Sequence, residues 1–545
     1  MSDASSSTPD VSTSAIETDY TVGQDNIQRQ IGRLGFDIHN PVFMISAISI
    51  VAFVIVTLMF QQAATDFFGW LRPFLTSTFD WFFLSAANVF VVFCIVLMVT
   101  PLGKIRLGGA DAKPDYSYIG WFAMLFAAGM GIGLMFFGVA EPMSHFASSM
   151  GGTAAEGGVR TDWAPLGAAA GDEVAARDLG MAATIFHWAL HPWAIYAVVA
   201  LALAFFTFNR GLPLTLRSAF YPLLGERVWG WWGHIIDTLA VFATLFGIAT
   251  SLGFGTEQSL AGLNYLFGWG TGNFAKVLLI TIITSMATIS VVRGLDGGVK
   301  VLSEINIGLA ALLLVFVIAV GPTASIFETM FAGGLAYVEE IVPLSMPFGR
   351  DDANFSQGWT AFYWAWWISW SPFVGMFIAR VSRGRTVREF VFCVLVIPSL
   401  VCVVWMGALG GTAIVQVIAD AAAPVKDAAL ELKLFEMLKH LPLSTITSLI
   451  GIILVVVFFV TSSDSASLVI DTITAGGKID APLPQRVFWC VFEGVVAATL
   501  LLVGGASALT ALQAMAVSTG FPFTIVLLAM CVSLYIGLRQ VQKAS

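Results

Sequence analysis

Charge is what this chain has least of. Of its 545 residues 11% are Asp, Glu, Lys or Arg, 57% are hydrophobic, and the mean hydropathy is +0.85. So little charge cannot cover a soluble globule, and the balance points to a polytopic membrane protein. Cysteine is also scarce. The five, Cys94, Cys393, Cys402, Cys490 and Cys531, all fall within apolar runs, so buried free thiols are expected rather than a disulfide framework. His187 and His191 stand four apart, but no carboxylate joins them in an HExxH arrangement and no other Cys/His cluster accompanies them. Packing or hydrogen bonding is expected of that pair. No paired base and nucleophile stands out, so no enzyme, no organic cofactor and no nucleic-acid partner is expected. Neither end shows a soluble domain, and no cleavable signal peptide is visible. Residues 1–40 are polar and Ser/Thr-rich and read as a mobile cytoplasmic tail.

What is present is a recurring apolar run of about 20 residues. The runs fall near 41–61, 81–101, 118–140, 182–207, 231–254, 275–292, 302–322, 359–379, 389–414, 446–470, 486–504 and 509–537. They predict about twelve spans, several long enough to be tilted or broken. With both termini cytoplasmic, inside segments hold 18 of the 26 Lys and Arg, including Lys104, Arg106, Arg380, Arg383, Arg385 and Arg388. Glu156, Asp162, Asp172, Glu173, Asp351 and Asp352 then fall outside, as the positive-inside rule asks for a bacterial inner membrane. In the outer stretch 428–441, Leu430, Leu434, Met437, Leu438 and Leu441 stand at helical spacing. That pattern predicts an amphipathic helix on the outer surface or against the protein itself, with 328–345 a similar case.

The third span is broken by Gly129-Met130-Gly131-Ile132-Gly133, and Ser369, Ser371 and Pro372 stand at almost the same depth in the eighth. Two matching breaks, each opening five spans, predict inverted repeats with the ligand site at the midplane between them. The organisation is then a tail at 1–40, two leading helices over 41–110, one five-helix repeat over 111–330, and a second over 331–540 that includes the outer amphipathic helix. A short tail, 541–545, closes the chain.

Residues 362–372 read FYWAWWISWSP. At 100° per residue Trp366, Trp367 and Trp370 share one arc of a helix, with Trp364 just beyond it. An aromatic wall inside a span suits a quaternary ammonium, which offers no hydrogen-bond donor and is best held by indole faces. An interfacial belt would gather at span ends instead. The glycine run makes a poor helix, at about 1 kcal/mol per glycine relative to alanine. Its unwound backbone must line a cavity or be buried, and its carbonyls can face a cation. FHWALHPWAIY (186–196) adds Trp188, Trp193 and Tyr196 from the opposite side. FFVTSSDSAS places the Thr461 and Ser462 hydroxyls just after Phe458 and Phe459, with Asp464 nearer the cytoplasmic end. The fifth span offers Thr244, Thr250 and Ser251. Glu141, Asp237, Glu304 and Glu493 all read as lying near span ends or beside Gly, Pro or polar residues, so no counter-charge for a cation is evident. A zwitterion fits such a site better.

Three motifs together, AAGMGIGLMFFG (127–138), FHWALHPWAIY (186–196) and FYWAWWISWSPFVGMFIARVSRGR (362–385), closely resemble the betaine–choline–carnitine transporter family. FDIHNPVF and TSSDSAS fit as well. The resemblance implies an all-α membrane protein of twelve helices in two inverted five-helix repeats (an amino-acid/sodium symporter-like fold), often assembled as a trimer. It implies that Trp188, Trp193, Tyr196, Trp367 and Trp370 line the substrate cage with Trp366 nearby, and that Met130 and Gly131 meet the substrate through the main chain. Sodium would be held by the backbone of Ala127, Met130 and Phe458 and the hydroxyls of Thr461 and Ser462. Members with a second sodium site are similar in having two threonines four apart on the fifth span and the phenylalanine matching Phe373. Here Thr244 is followed by Ile248, which has no oxygen, so a second ion is expected only if Thr250 or Ser251 serves. Osmosensing members carry a long basic tail, whereas this chain ends with Arg539, Lys543 and Ser545, so tail-driven gating is not expected. Gly133 stands where proton-coupled choline carriers tend to have aspartate. The function so implied is sodium-coupled import of a quaternary-ammonium compatible solute. Glycine betaine is the first choice, and a choline, carnitine, ectoine or dimethylsulfoniopropionate carrier, proton-coupled or an exchanger, is the alternative.

Overall fold

A computed structural model describes residues 15–32, 34–129, 131–151, 155–156, 159–160, 163–167, 169–293, 300–350, 352–505 and 508–544. The first element departs from the sequence expectation. Residues 26–39 are not a mobile tail but an antiparallel hairpin of β1 (Asn26–Ile31) and β2 (Leu34–His39), in register Asn26 with His39. Its partners lie about 450 positions downstream, which is why local polarity hid it. Lys478 Nζ reaches Asp37 at 2.5 Å, Gln485 bonds both the N–H and the C=O of Asp37, and Asn26 Nδ2 donates to Ala475 O at 2.8 Å.

The rest is helical. α1 (Asn40–Met59) opens on Pro41, whose fixed φ suits a first turn, and α2 (Gln61–Val99) follows. α3 (Tyr118–Gly129) and α4 (Ile132–Met150) are two halves of one run, parted where Gly131 is extended. After the two-residue strands β3 (Ala155–Glu156) and β4 (Val159–Arg160), α5 (Glu173–Trp188) starts on Asp172, whose carboxylate accepts from Val174 and Ala175 N–H, both at 3.0 Å. Next come α6 (Leu190–Phe208), α7 (Tyr221–Leu224), α8 (Trp231–Phe267), α9 (Asn273–Arg293), α10 (Lys300–Val320), α11 (Thr323–Ser345) and α12 (Ala353–Phe355). α13 (Ala361–Arg380), α14 (Val387–Ala419), α15 (Lys433–Lys439), α16 (Ser444–Thr474), α17 (Leu483–Gly504) and α18 (Ala508–Ala544) complete the chain.

Among the described residues, ten helices are long and apolar enough to cross a membrane, and they match ten of the twelve expected runs. The other two runs are the divided α3–α4 and the tryptophan-rich α13. The ten sort by what covers them. The apolar stretch of α5–α6 is 94% buried and that of α8 83%, against 28% for α1 and 22% for α10. Helices apolar all round are stable in both settings, the inner ones against protein and the outer ones against lipid. α13 packs against α6, α8 and α18, at the centre of the inner group.

Loops expected on one side do meet. Asn209 bonds Arg106 O and Gly108 N–H, while Leu107 N–H donates to Arg385 O, Leu107 O accepts from Gly384 N–H, and Val387 N–H donates to Ile105 O. Gly384, at φ +80°, lies where an added Cβ would stand 2.3 Å from the Lys113 carbonyl carbon, so this junction requires glycine. At the other end Leu166 N–H donates to Asp352, and Arg177 pairs with Glu328.

One further expectation is corrected and another is narrowed. The eighth span is not interrupted: α13 runs through Pro372. Proline removes the N–H that would reach Ile368 O, and the Ser371 hydroxyl donates to that carbonyl at 2.7 Å in its place. The matching breaks expected of two repeats are therefore not matched in this structure. In the outer stretch 428–441 the helix α15 spans only Lys433–Lys439, and Leu434, Phe435, Met437 and Leu438 are buried against α16 and α8, which is the second of the two expected placements, against the protein itself. Lys433 is buried with them, donating to Val425 O and Lys426 O, and burial pushes its ammonium down to about 8.

Gly180 packs against α4 backbone, an added Cβ lying 2.8 Å from Phe146 N. Because backbone cannot swing aside, Gly180→Ala should cost about 1–3 kcal/mol. The check is a lowered thermal unfolding midpoint of the purified protein.

Candidate substrate site

The site begins with a break that the sequence did not announce. Between α5 and α6, Ala189 adopts φ −103°, ψ −120°. Three residues on, Pro192 supplies no N–H for Trp188 O, so the turn leaves carbonyls of His187 and Trp188 without helical partners. Indole N–H groups take them up. Trp193 Nε1 donates to Trp188 O at 3.2 Å, and Trp367 Nε1 donates to His187 O at 3.0 Å. Two of the expected cage rings are thus oriented by the broken helix that faces them.

From these anchors the rings form a continuous edge-to-face series. Trp188 and Trp367 lie 5.1 Å apart at 89°, Tyr196 and Trp367 5.5 Å at 79°, and Trp193 and Tyr196 5.4 Å at 78°. Such contacts add about 0.5–1.5 kcal/mol per pair beyond area burial. Trp366 touches Trp367 at 5.9 Å, packs on Phe254, and donates to Ser251 Oγ at 3.2 Å. The glycine break closes the same space: a Cβ at Gly133 would stand 2.9 Å from both Trp188 Cη2 and Trp366 Cη2. Gly131, expected at the substrate, is the extended residue of that break, and Met130 lies outside the described residues. Trp370 is not in the series. It is half-buried, packs on Phe373 at 5.5 Å and lies against Gly247. Trp364 points away, stacking on His191 at 5.4 Å. Among these tryptophans and tyrosine three buried donors find no partner, Tyr196 Oη, Trp364 Nε1 and Trp370 Nε1.

The residue sequence reasoning missed is Glu141. It was expected near a span end, without bearing on the cage, yet it is fully buried in α4 and forms the hub beneath Trp188. Its Oε2 accepts from Trp188 Nε1 at 2.7 Å and Tyr363 Oη at 2.5 Å; its Oε1 faces His187 Nδ1 at 2.6 Å and His145 Nε2 at 3.2 Å. The donor and acceptor roles of the two imidazoles follow their tautomers, and with Glu141 as the acceptor both ring nitrogens facing it carry hydrogen. His187 Nε2 meets Thr360 Oγ1 at 2.9 Å. The signal in the sequence was the i, i+4 pair Glu141 and His145, two residues that share a helix face. Glu141, His145 and His187 bring three potential metal-ligand atoms within 4.8 Å of one another, each already engaged in the hydrogen bonds given above. His191 takes no part, because its Nε2 bonds Asn88 Oδ1 at 3.0 Å.

The expected ion residues are distributed as follows. Ala127 is in the last turn of α3, and Phe458, Thr461 and Ser462 follow one another on α16. The Thr461 hydroxyl donates to Val457 O at 3.0 Å, which leaves its lone pairs free to face a cation. Thr244 is buried with an unpartnered hydroxyl, and Ile248 is buried beside it on α8. Of the possible substitutes, Thr250 already donates to Phe246 O and Leu512 O, and Ser251 accepts from Trp366.

A bundle of membrane-spanning helices, opened at two points around an aromatic enclosure, is the build of a transporter and not of an enzyme. The chain belongs to the betaine/carnitine/choline family of transporters, whose model matches residues 41–543. It is 65% identical over 537 residues to a glycine betaine/proline/choline transporter of Vibrio parahaemolyticus, covering 98% of this chain and 97% of that one. Glycine betaine transporter 1 of the same organism is 56% identical over 532 residues (96% and 97%), and the glycine betaine transporter OpuD of Bacillus subtilis 43% over 480 residues (87% and 90%).

Glu141→Ala would strand the Trp188 N–H and the Tyr363 O–H, at about 1–3 kcal/mol for each buried donor, whereas Glu141→Gln keeps an acceptor. The alanine variant should therefore unfold at a clearly lower temperature than the glutamine variant. Equal midpoints would show that the carboxylate does not hold these rings.

Proposed function

We propose that the protein imports a zwitterionic quaternary-ammonium solute, glycine betaine first, across the bacterial inner membrane by sodium-coupled alternating access. The observation that carries this reading is the ring series Trp188–Trp367–Tyr196–Trp193 with the unpartnered Tyr196 Oη in it; Trp370 Nε1, also unpartnered, stands outside the series beside Phe373 and Gly247. Indole and phenol faces suit a methylated onium group. The free O–H and N–H suit the carboxylate that a betaine carries and choline lacks. Names of three relatives at 43–65% identity include glycine betaine, which supports the same substrate class. Gly133 leaves no room for a side chain against Trp188 and Trp366, so the cage gains no fixed charge there. Choline, carnitine, ectoine and dimethylsulfoniopropionate would meet the same rings, as weaker competitors.

A net-neutral betaine gains nothing from the membrane potential, whereas each sodium carried inward gains about 2.3 kcal/mol per 100 mV. In this reading sodium is held by backbone oxygens of Ala127, Met130 and Phe458 with the Thr461 and Ser462 hydroxyls. Both termini face the cytoplasm, since the basic loops around Arg106, Arg385 and Lys478 gather at their end of the bundle. A homotrimeric assembly belongs to the same proposal.

Labelled glycine betaine should accumulate in proteoliposomes only under an inward sodium gradient. Accumulation indifferent to sodium would overturn the coupling. Trp367→Leu removes a desolvated cation–π face worth about 2 kcal/mol and should weaken betaine binding by more than about tenfold, read by intrinsic fluorescence titration. Trp370→Leu should weaken betaine more than choline. Thr461→Ala with Ser462→Ala should raise the sodium concentration needed for half-maximal uptake.

A further inference from the structure

A second polar cluster lies away from the cage, between α9, α16 and α17. Glu493 on α17 and Asp464 on α16 are both buried, at 0% and 3% exposure. Each stands about ten residues from the end of its helix nearest the Lys478 loop, or about 15 Å into the bundle at 1.5 Å per residue. Glu493 Oε2 accepts from Ser463 Oγ at 2.6 Å, but Glu493 Oε1 and Asp464 Oδ2 have no partner. Asp464 lies within electrostatic reach of Glu493. Ser290 on α9 faces Asp464, is itself 4% exposed, and closes no hydrogen bond of its own. Cys490 completes the lining, 3.6 Å from Ser463 and 3.7 Å from Thr288.

No Lys or Arg among the described residues bonds either carboxylate. Arg486 is the basic residue in reach of Asp464, and its guanidinium is bonded to Asp471 at 3.4 Å. Two carboxyl groups this deep, without a basic partner, are costly unless a cation or a proton neutralises them. The donor set decides between cations. It consists of carboxylate and hydroxyl oxygens with no imidazole and one thiol, which is the ligand chemistry of a hard ion and not of zinc or copper.

We propose that Glu493, Asp464, Ser290 and Ser463 form a second sodium site. It is distinct from Thr461 and Ser462, which precede Ser463 on α16. The site deepens the sodium-coupled reading and rests on that reading for any part in transport. It also offers the oxygen ligands that Ile248 does not supply on α8.

Equilibrium binding of radioactive sodium to the purified full chain tests this, at fixed pH with N-methylglucamine keeping the ionic strength constant. Glu493→Gln, which retains an acceptor for Ser463, should bind one sodium fewer per protomer, or bind the weaker class of sodium at least about tenfold more weakly. Asp464→Asn should do the same, and the loss should add to that of Thr461→Ala with Ser462→Ala. Should Glu493→Gln fold poorly, seen as a lowered unfolding midpoint without sodium, Asp464→Asn and Ser290→Ala carry the test. Unchanged sodium binding in the folded variants would overturn the proposal and leave a protonated carboxyl as the neutral form. If wild-type uptake ignores sodium while Glu493→Gln still lowers sodium binding, the coupling reading fails and the site stands.

Discussion

Inside a bilayer no water is available to a backbone carbonyl, so each place where a helix opens must be paired from within the protein. The ligand region of this transporter depends on that demand. At Ala189 the chain leaves helical geometry just before Pro192, and the released carbonyls of His187 and Trp188 accept from Trp367 and Trp193. The indoles that satisfy the backbone are the same indoles that build the aromatic enclosure. Ring orientation follows from main-chain hydrogen bonding, with edge-to-face contacts among the rings reinforcing it. Where the chain needed continuity instead, at Pro372 in α13, a serine hydroxyl took up the orphaned carbonyl and the helix stayed whole. Proline therefore has opposite outcomes in two neighbouring helices, decided by what lies within reach of the free oxygen.

Glu141 is the polar counterpart of this arrangement. A fully buried carboxylate is tolerated because four groups surround it, two from the aromatic side and two imidazoles. It bonds Trp188 and Tyr363 to α4, so the divided third span is tied to the broken fourth span and to α13. The ring series thus carries no charged side chain, and the carboxylate stands behind it, bonded to Trp188 and Tyr363.

Much of the fold could be read from residue order. Ten apolar runs became helices of spanning length, the glycine run parted α3 from α4, and the aromatic residues of the fourth and eighth spans met. Those signals are local: hydropathy, helix propensity and the angular spacing of tryptophans. The failures were of another kind. Residues 26–39 look like a solvated tail until Lys478 and Gln485 are brought to Asp37, and only the fold decides that residues 433–439 lie against the protein, the second of their two expected placements. Glu141 resembled a span-end acid because three of its four partners come from α5 and α13, 46 or more positions away.

The sequence by itself determined the class: scarce charge and repeated runs of membrane length leave a polytopic membrane protein with a dense tryptophan cluster in one span, because each property is a sum over neighbouring residues. Tertiary structure alone decided which tryptophans share one enclosure and which turn away, as Trp364 does toward His191. It also decided which buried acids are satisfied and which keep an oxygen without a partner. Hydrogen bonding inside a membrane is settled between helices, and no span carries in its own order the address of the group that will complete it.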